Sequence, residues 1–147
     1  MPIEFKQTTD ESSIIIWQIT EEERFFIEQS GLISNKNHLK KRLEFLASRY
    51  CLQLLIPDLD IHAIKTDKEG KPFIANSKTD FSISHSYPFV AVAIHHHQKI
   101  GIDIQTLQEK IHRLQPKFLS DYEMSLCQDS RAAITFAWCC KEAMYKK

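Results

Sequence analysis

The sequence has no surplus of charge, no long apolar run and no cysteine pair at C-x-x-C spacing. Nineteen basic residues balance nineteen acidic ones, which argues against a general affinity for nucleic acid or anionic lipid. Any basic site must be local. No run approaches the roughly 18 apolar residues that mark a membrane span. The opening, MPIEFKQTTDESS, has neither the basic nor the apolar region of a signal peptide, so a cytoplasmic protein with no membrane partner is expected. Cys51, Cys127, Cys139 and Cys140 read as reduced, semi-buried thiols, since neighbours such as Cys139 and Cys140 are poorly placed to pair. Low-complexity segments and internal repeats are also absent. His95, His96 and His97 are consecutive, so in a strand they would point to alternate faces; they suit a strand end or hairpin turn, and no metal is assigned to them.

What is present is a chain of 147 residues with 43% hydrophobic and 26% charged content, enough for a packed core. Its periodicity is mixed. Thr20 and Glu23 have capping-box spacing and Gly31 follows, which predicts a short helix over about 20 to 30. From Asn37 a longer helix carries Leu39, Leu43, Leu46 and Tyr50 on one stripe, with Lys40, Lys41 and Arg42 around it. DKEGKP at 67 to 72 is a turn. Beyond it the pattern alternates, and FSIS, VAVAI and KIGIDIQ are expected as strands of one sheet. Ser120 with Glu123 opens another helix, and Ser130 precedes a final one. The fold class is therefore α+β, with its one candidate boundary near 105 to 117.

In KIGIDIQ the isoleucines share one strand face, and Asp103 and Gln105 share the other. Two oxygen-bearing side chains aimed together suit a hard cation such as Mg²⁺, although an Asp at a strand end is also a common cap. On the last helix Trp138, Glu142 and Lys146 recur at i, i+4, i+8, mixing an indole, a carboxylate and an ammonium. Glu142 offers a further acid there. Alternatively it forms a surface pair with Lys146, worth only about 0.3 to 0.5 kcal/mol. SHS at 84 to 86 brings hydroxyl and imidazole groups to a strand end, and KKR at 40 to 42 reads equally as a solvated helix face.

Together, GKP at 70 to 72, FSISHS at 81 to 86, IGIDIQ at 100 to 105, FLSDYE at 118 to 123 and WCCKEAMYK at 138 to 146 resemble the 4'-phosphopantetheinyl transferase superfamily. Within it the similarity is to the larger, pseudo-dimeric type that activates peptide synthetases and carrier proteins. The resemblance implies two pseudo-symmetric α/β lobes, residues 1 to 102 forming the first and 103 to 147 beginning the second. It implies Mg²⁺-assisted transfer of the phosphopantetheine arm of coenzyme A to a serine of an acyl or peptidyl carrier protein, releasing adenosine 3',5'-bisphosphate. Asp103 and Glu142 match the metal-binding acids, and Gln105 stands where many members have a second strand acid. Lys71, Ser84 and His85 match coenzyme A contacts. Lys40 and Lys41 suit its 3'-phosphate, and Lys141 and Lys146 act as electrostatic helpers. Glu142 is the favoured general base, with Glu123 or a metal-bound water as the alternatives.

Two departures stand out. Gln105 brings a carbonyl oxygen but no charge, which predicts weaker Mg²⁺ binding, and Ser82 replaces an asparagine common before SHS. Family members of this type continue past W-x-x-K-E-A with further strands, so the second lobe is expected to be incomplete and an apolar face uncovered; a full-length chain is expected to be monomeric. The rival function is a non-catalytic or truncated module that binds coenzyme A or a carrier protein. A helical nucleic-acid binder is disfavoured by the zero net charge. Carrier domains are usually acidic near the modified serine, so the basic residues near 36 to 49 are placed to steer one.

Overall fold

Residues 12 to 18 alternate between buried and half-buried, as expected of a strand with one face on a core. In the computed structural model, which describes residues 2–147, this strand is β2 (Ser12–Gln18). It belongs to a four-stranded antiparallel sheet with β1 (Ile3–Thr8), β5 (Asp80–Ser86) and β6 (Phe89–His95), in the order β1-β2-β6-β5. The remaining strands and α-helices are α1 (Glu23–Ser30), α2 (Leu39–Leu55), the short hairpin β3 (Ile64–Thr66) and β4 (Pro72–Ile74), and α3 (Ile111–Leu114), α4 (Asp121–Cys127) and α5 (Arg131–Lys146).

Register decides the two faces of the sheet. Ile15 pairs with Val92 and Trp17 with Val90, while Phe81 and Ile83 on β5 face Ile94 and Val92. That face packs on Leu43, Leu46, Ala47, Cys51 and Leu52 of α2, and α1 adds Phe26. Trp17, Phe25 and Phe26 meet Tyr50 edge to face, with centroids 5.3 to 6.0 Å apart. Leu39 was expected in this stripe but is 53% exposed, at the first residue of the helix.

The opposite face of β5 is built of small residues: Ser82 opposes Ala93 and Ser84 opposes Ala91. Residues 100 to 106 lie over it, extended but without a backbone ladder, where sequence alternation predicts a strand. The reason is a different set of acceptors. The N–H groups of Ile100, Ile102, Ile104 and Thr106 donate in turn to Asp80 Oδ2, Ser82 Oγ, Ser84 Oγ and Ser86 Oγ, at 2.9 to 3.2 Å. Both numberings rise together, so the segment runs parallel to β5. It is a strap tied by side chains.

A second, smaller core joins Leu119, Cys127 and Ile134 on the helical side. There α4 has its expected cap: Ser120 Oγ accepts from Glu123 N, and Glu123 accepts from Ser120 N. Ser130 caps α5 in the same way. The capping box expected at Thr20 does not form. The first helix starts at Glu23, whose carboxylate instead meets Arg42 at 2.8 Å. The turn at 67 to 71 follows expectation: Gly70 takes φ +87°, and Asp67 Oδ1 accepts from the N–H of Glu69 and of Lys71. His95 ends β6, and its Nδ1 accepts from the N–H of His97 and Gln98. Among the described residues no helix is long and apolar enough to cross a membrane. Tyr122, Leu126, Phe136, Met144 and Tyr145 are exposed on α4 and α5.

Candidate functional site

The strap brings Asp103 under the last turn of α5. Its side chain is 2% exposed, and each carboxylate oxygen has donors: Lys146 Nζ at 2.6 Å and Ser84 Oγ at 2.9 Å on Oδ1, Gln105 Nε2 at 3.0 Å on Oδ2. Lys146 also donates to Ser84 Oγ at 3.1 Å and to the Ile102 carbonyl at 3.3 Å. Two separate stretches of sequence, at 84 and at 102 to 103, thus converge on the ammonium of Lys146.

Gly101 lets them meet. A Cβ there would lie 1.8 Å from the Ala143 carbonyl oxygen, so only glycine allows α5 to rest on the strap. Ala143 and Lys146 share that helix face with Cys139 and Glu142. Burial and the adjacent Asp103 push the Cys139 thiol up to about 12, so it is an inert neighbour. Glu142 lies between Cys139 and Lys146, one turn from the ammonium. Lys146 pairs with Asp103, and among the described residues no ion pair joins it to Glu142.

The Trp138, Glu142, Lys146 stripe divides, because eight residues of α-helix drift by about 80°. Trp138 points toward the helical core and stacks edge-on with Phe118 at 4.8 Å. Lys141 points the same way: its Nζ donates to the Phe118 carbonyl at 2.7 Å and pairs with Glu123 at 2.9 Å. The Ser120 N–H and then Lys141 hold the Glu123 carboxyl at about 2. Of these two residues, expected at the reacting centre, Glu123 belongs to the α4 cap and Lys141 is its ion-pair partner.

Lys71 closes the C-terminal end of α5 by donating to the Lys146 carbonyl at 3.0 Å, and it lies 3.8 Å from Asp80. It lines a hollow of about 530 Å³ with Ser82, Tyr145 and Lys146. Across Gly70, Pro72 and Ile83, which both share, this hollow adjoins another of about 300 Å³ against α2. The second contains His85, Lys41 and Glu44, with His85 Nδ1 3.2 Å and Lys41 Nζ 3.0 Å from the Glu44 carboxylate. Burial pulls His85 below its ordinary value, against the opposing pull of Glu44.

Ser84, expected to contact coenzyme A, is buried, and its hydroxyl bonds Asp103, the Ile104 N–H and Lys146. It is a positioning residue. Lys40 lies over the Tyr87 ring at 5.1 Å and does not line the hollow. Two other cations do line it, Lys36 and Arg49, which the sequence reading set in a carrier-steering stretch rather than in a cleft; they flank the Phe45 ring at 5.9 and 4.6 Å. Burial pulls Arg49 below its usual value, and neither cation has a carboxylate within ion-pair distance among the described residues. The signal was present in the helix: Lys41, Phe45, Ser48 and Arg49 recur at i, i+4, i+7, i+8.

Among the described residues no three of His, Cys, Asp and Glu gather into a metal-holding group. The acceptors around the Lys146 ammonium are nevertheless all oxygens, from Asp103, Ser84 and the Ile102 carbonyl. Oxygen ligands of this kind suit a hard cation; Gln105 donates to Asp103 through its amide nitrogen, and Glu142 lies one helical turn before Lys146. No protein-family model and no curated protein matches this chain.

Proposed function

We propose that the chain is a 4'-phosphopantetheinyl transferase-like protein that moves the phosphopantetheine arm of coenzyme A to a serine of an apo acyl or peptidyl carrier protein. The observation that carries this reading is the convergence of Asp103, Ser84 and Lys146 beside a basic double hollow. The four-stranded sheet under α2, with a second helical core beyond the strap, accords with two lobes that meet at the strap.

In this reading the pyrophosphate lies along the larger hollow between Lys71 and Lys146, and Lys36 and Arg49 serve its nucleotide end. The carrier serine oxygen attacks the phosphorus that bears the pantetheine. A new P–O ester bond forms, the bridging P–O bond breaks, and adenosine 3',5'-bisphosphate leaves. Glu142 takes the serine proton. Glu123, held near 2 by its cap and Lys141, is a poor base at neutral pH. Asp103, Gln105 and Glu142 would hold Mg²⁺, which when bound neutralises charge on the leaving group. The chain's own part is to orient the pyrophosphate with fixed cations and to keep Asp103 in place through the serine-tied strap.

The test is chromatography of the nucleotide product. Adenosine 3',5'-bisphosphate should appear with an apo carrier protein and be absent with a carrier whose acceptor serine is alanine. Release from both carriers, or from neither, would overturn the reading. A binding module is the second reading, favoured by the pairing of Lys41 and Lys146 with internal carboxylates; it predicts coenzyme A binding without release.

A further inference from the structure

Lys110, Arg113, Leu114 and Lys117 recur at i, i+3, i+4 and i+7, the spacing that puts side chains on one side of a helix. The fold keeps them together across α3 and the single 3-10 turn Gln115–Lys117 that follows it, where the four residues line a shallow hollow of about 320 Å³. The three cations are exposed, and Leu114 is half-buried beside them. Among the described residues none of the three has a carboxylate within ion-pair distance, because the acids nearby are held elsewhere: Glu109 pairs with Arg131, and Asp129 meets His112 Nδ1 at 3.0 Å. In a chain with no net charge, this is a local concentration of positive charge that the protein does not neutralise itself.

The position of this face matters as much as its charge. Lys110 and Leu114 also line a hollow of about 220 Å³ together with Gln105 and Trp138, and Gln105 donates to Asp103 at 3.0 Å. The cations thus stand one hollow away from the residue that holds Asp103. The two hollows given above to coenzyme A share no residue with this pair, so a second substrate can approach Asp103 without crossing the first. The basic stretch at 36 to 49, expected to steer a carrier, is engaged otherwise: Lys36, Lys41 and Arg49 line the smaller coenzyme A hollow, and Arg42 pairs with Glu23. We infer that Lys110, Arg113 and Lys117 form the docking surface for the carrier protein, receiving the acidic surface beside its modified serine, with Leu114 as the apolar seat. The inference rests on the transferase reading.

Steady-state transfer by the full chain, with an apo carrier protein varied at saturating coenzyme A, tests it. The triple variant Lys110→Glu, Arg113→Glu, Lys117→Glu should raise the carrier KM about tenfold or more, while its calorimetric affinity for coenzyme A stays within about twofold of the wild type. The wild-type carrier KM should rise with ionic strength, because exposed charges are screened. A carrier whose acids beside the serine are changed to lysine should lose efficiency with the wild type and regain it with the triple variant. Should the triple variant not fold, that carrier with the wild type still decides the matter through its KM. An unchanged carrier KM in the triple variant, an equal loss of coenzyme A affinity, or no rescue by the altered carrier would overturn the docking surface while leaving transfer standing. Unchanged carrier kinetics with lost affinity for a single-stranded oligonucleotide would give the face to nucleic acid and overturn it too. No transfer to any carrier by the wild type would overturn both.

Discussion

Replacing Gly101 by alanine puts the contact between strap and terminal helix under a known strain. The added Cβ would lie 1.8 Å from the Ala143 oxygen, 2.9 Å from its carbonyl carbon and 3.0 Å from the Lys147 nitrogen, all backbone atoms that no rotamer change can clear. Ordinary contact begins near 3.4 Å, so the helix must retreat by about 1.6 Å. Lys146 reaches Asp103, Ser84 and Ile102 at 2.6, 3.1 and 3.3 Å, and a retreat of that size breaks at least the two longer bonds. Overpacking of this kind costs about 1 to 3 kcal/mol, and a displacement of about 1 Å at a reacting centre lowers turnover by about a hundredfold. Gly70→Ala is the control: its Cβ meets nothing, so only the positive φ is strained, at about 1 kcal/mol. Urea unfolding gives the stability term and carrier modification gives the rate. Wild-type turnover in Gly101→Ala would refute the proposed dependence of the site on this contact.

Lys146→Met should destabilise the fold by about 3 kcal/mol, because it leaves the Asp103 carboxylate buried without its cation, and adding Asp103→Asn should recover part of that loss in urea unfolding. Ser84→Ala removes a hydroxyl with three partners and should cost about 1 to 3 kcal/mol; the loss of amide-exchange protection should centre on Ile104. The Glu123 carboxyl, held at about 2 in the fold against an ordinary 4.5, contributes stability that is fully present above pH 4.5 and is lost as pH falls toward 2. Glu123→Gln should flatten that acid limb, and equal acid unfolding of the two proteins would remove the proposed cap contribution.

The sequence exposed those parts of the fold whose signal is local. Gly31, Gly70, Ser120 and Ser130 mark their turns and caps because each acts within a few residues. Thr20 misled because Glu23, three residues on, is held by Arg42 from a different helix. The strap at 100 to 106 kept its alternation but lost its ladder, since its acceptors are hydroxyls twenty residues back, and no propensity describes such a pairing. At the site, Asp103 and Lys146 were readable as chemistry but not as partners. Lys141 and Glu123 carry the same residue types yet face the other core, a distinction set by where α5 packs. Lys36 and Arg49 became visible as cleft residues only once the hairpin turn at Gly70 closed over α2.

The central claim is that this site transfers phosphopantetheine. Intact mass spectrometry of an apo carrier protein incubated with this chain, Mg²⁺ and coenzyme A tests it most directly. The account predicts a gain of one phosphopantetheine on the carrier, lost in both Asp103→Ala and Glu142→Ala. An unchanged carrier mass, from a folded protein that still binds coenzyme A, would contradict it.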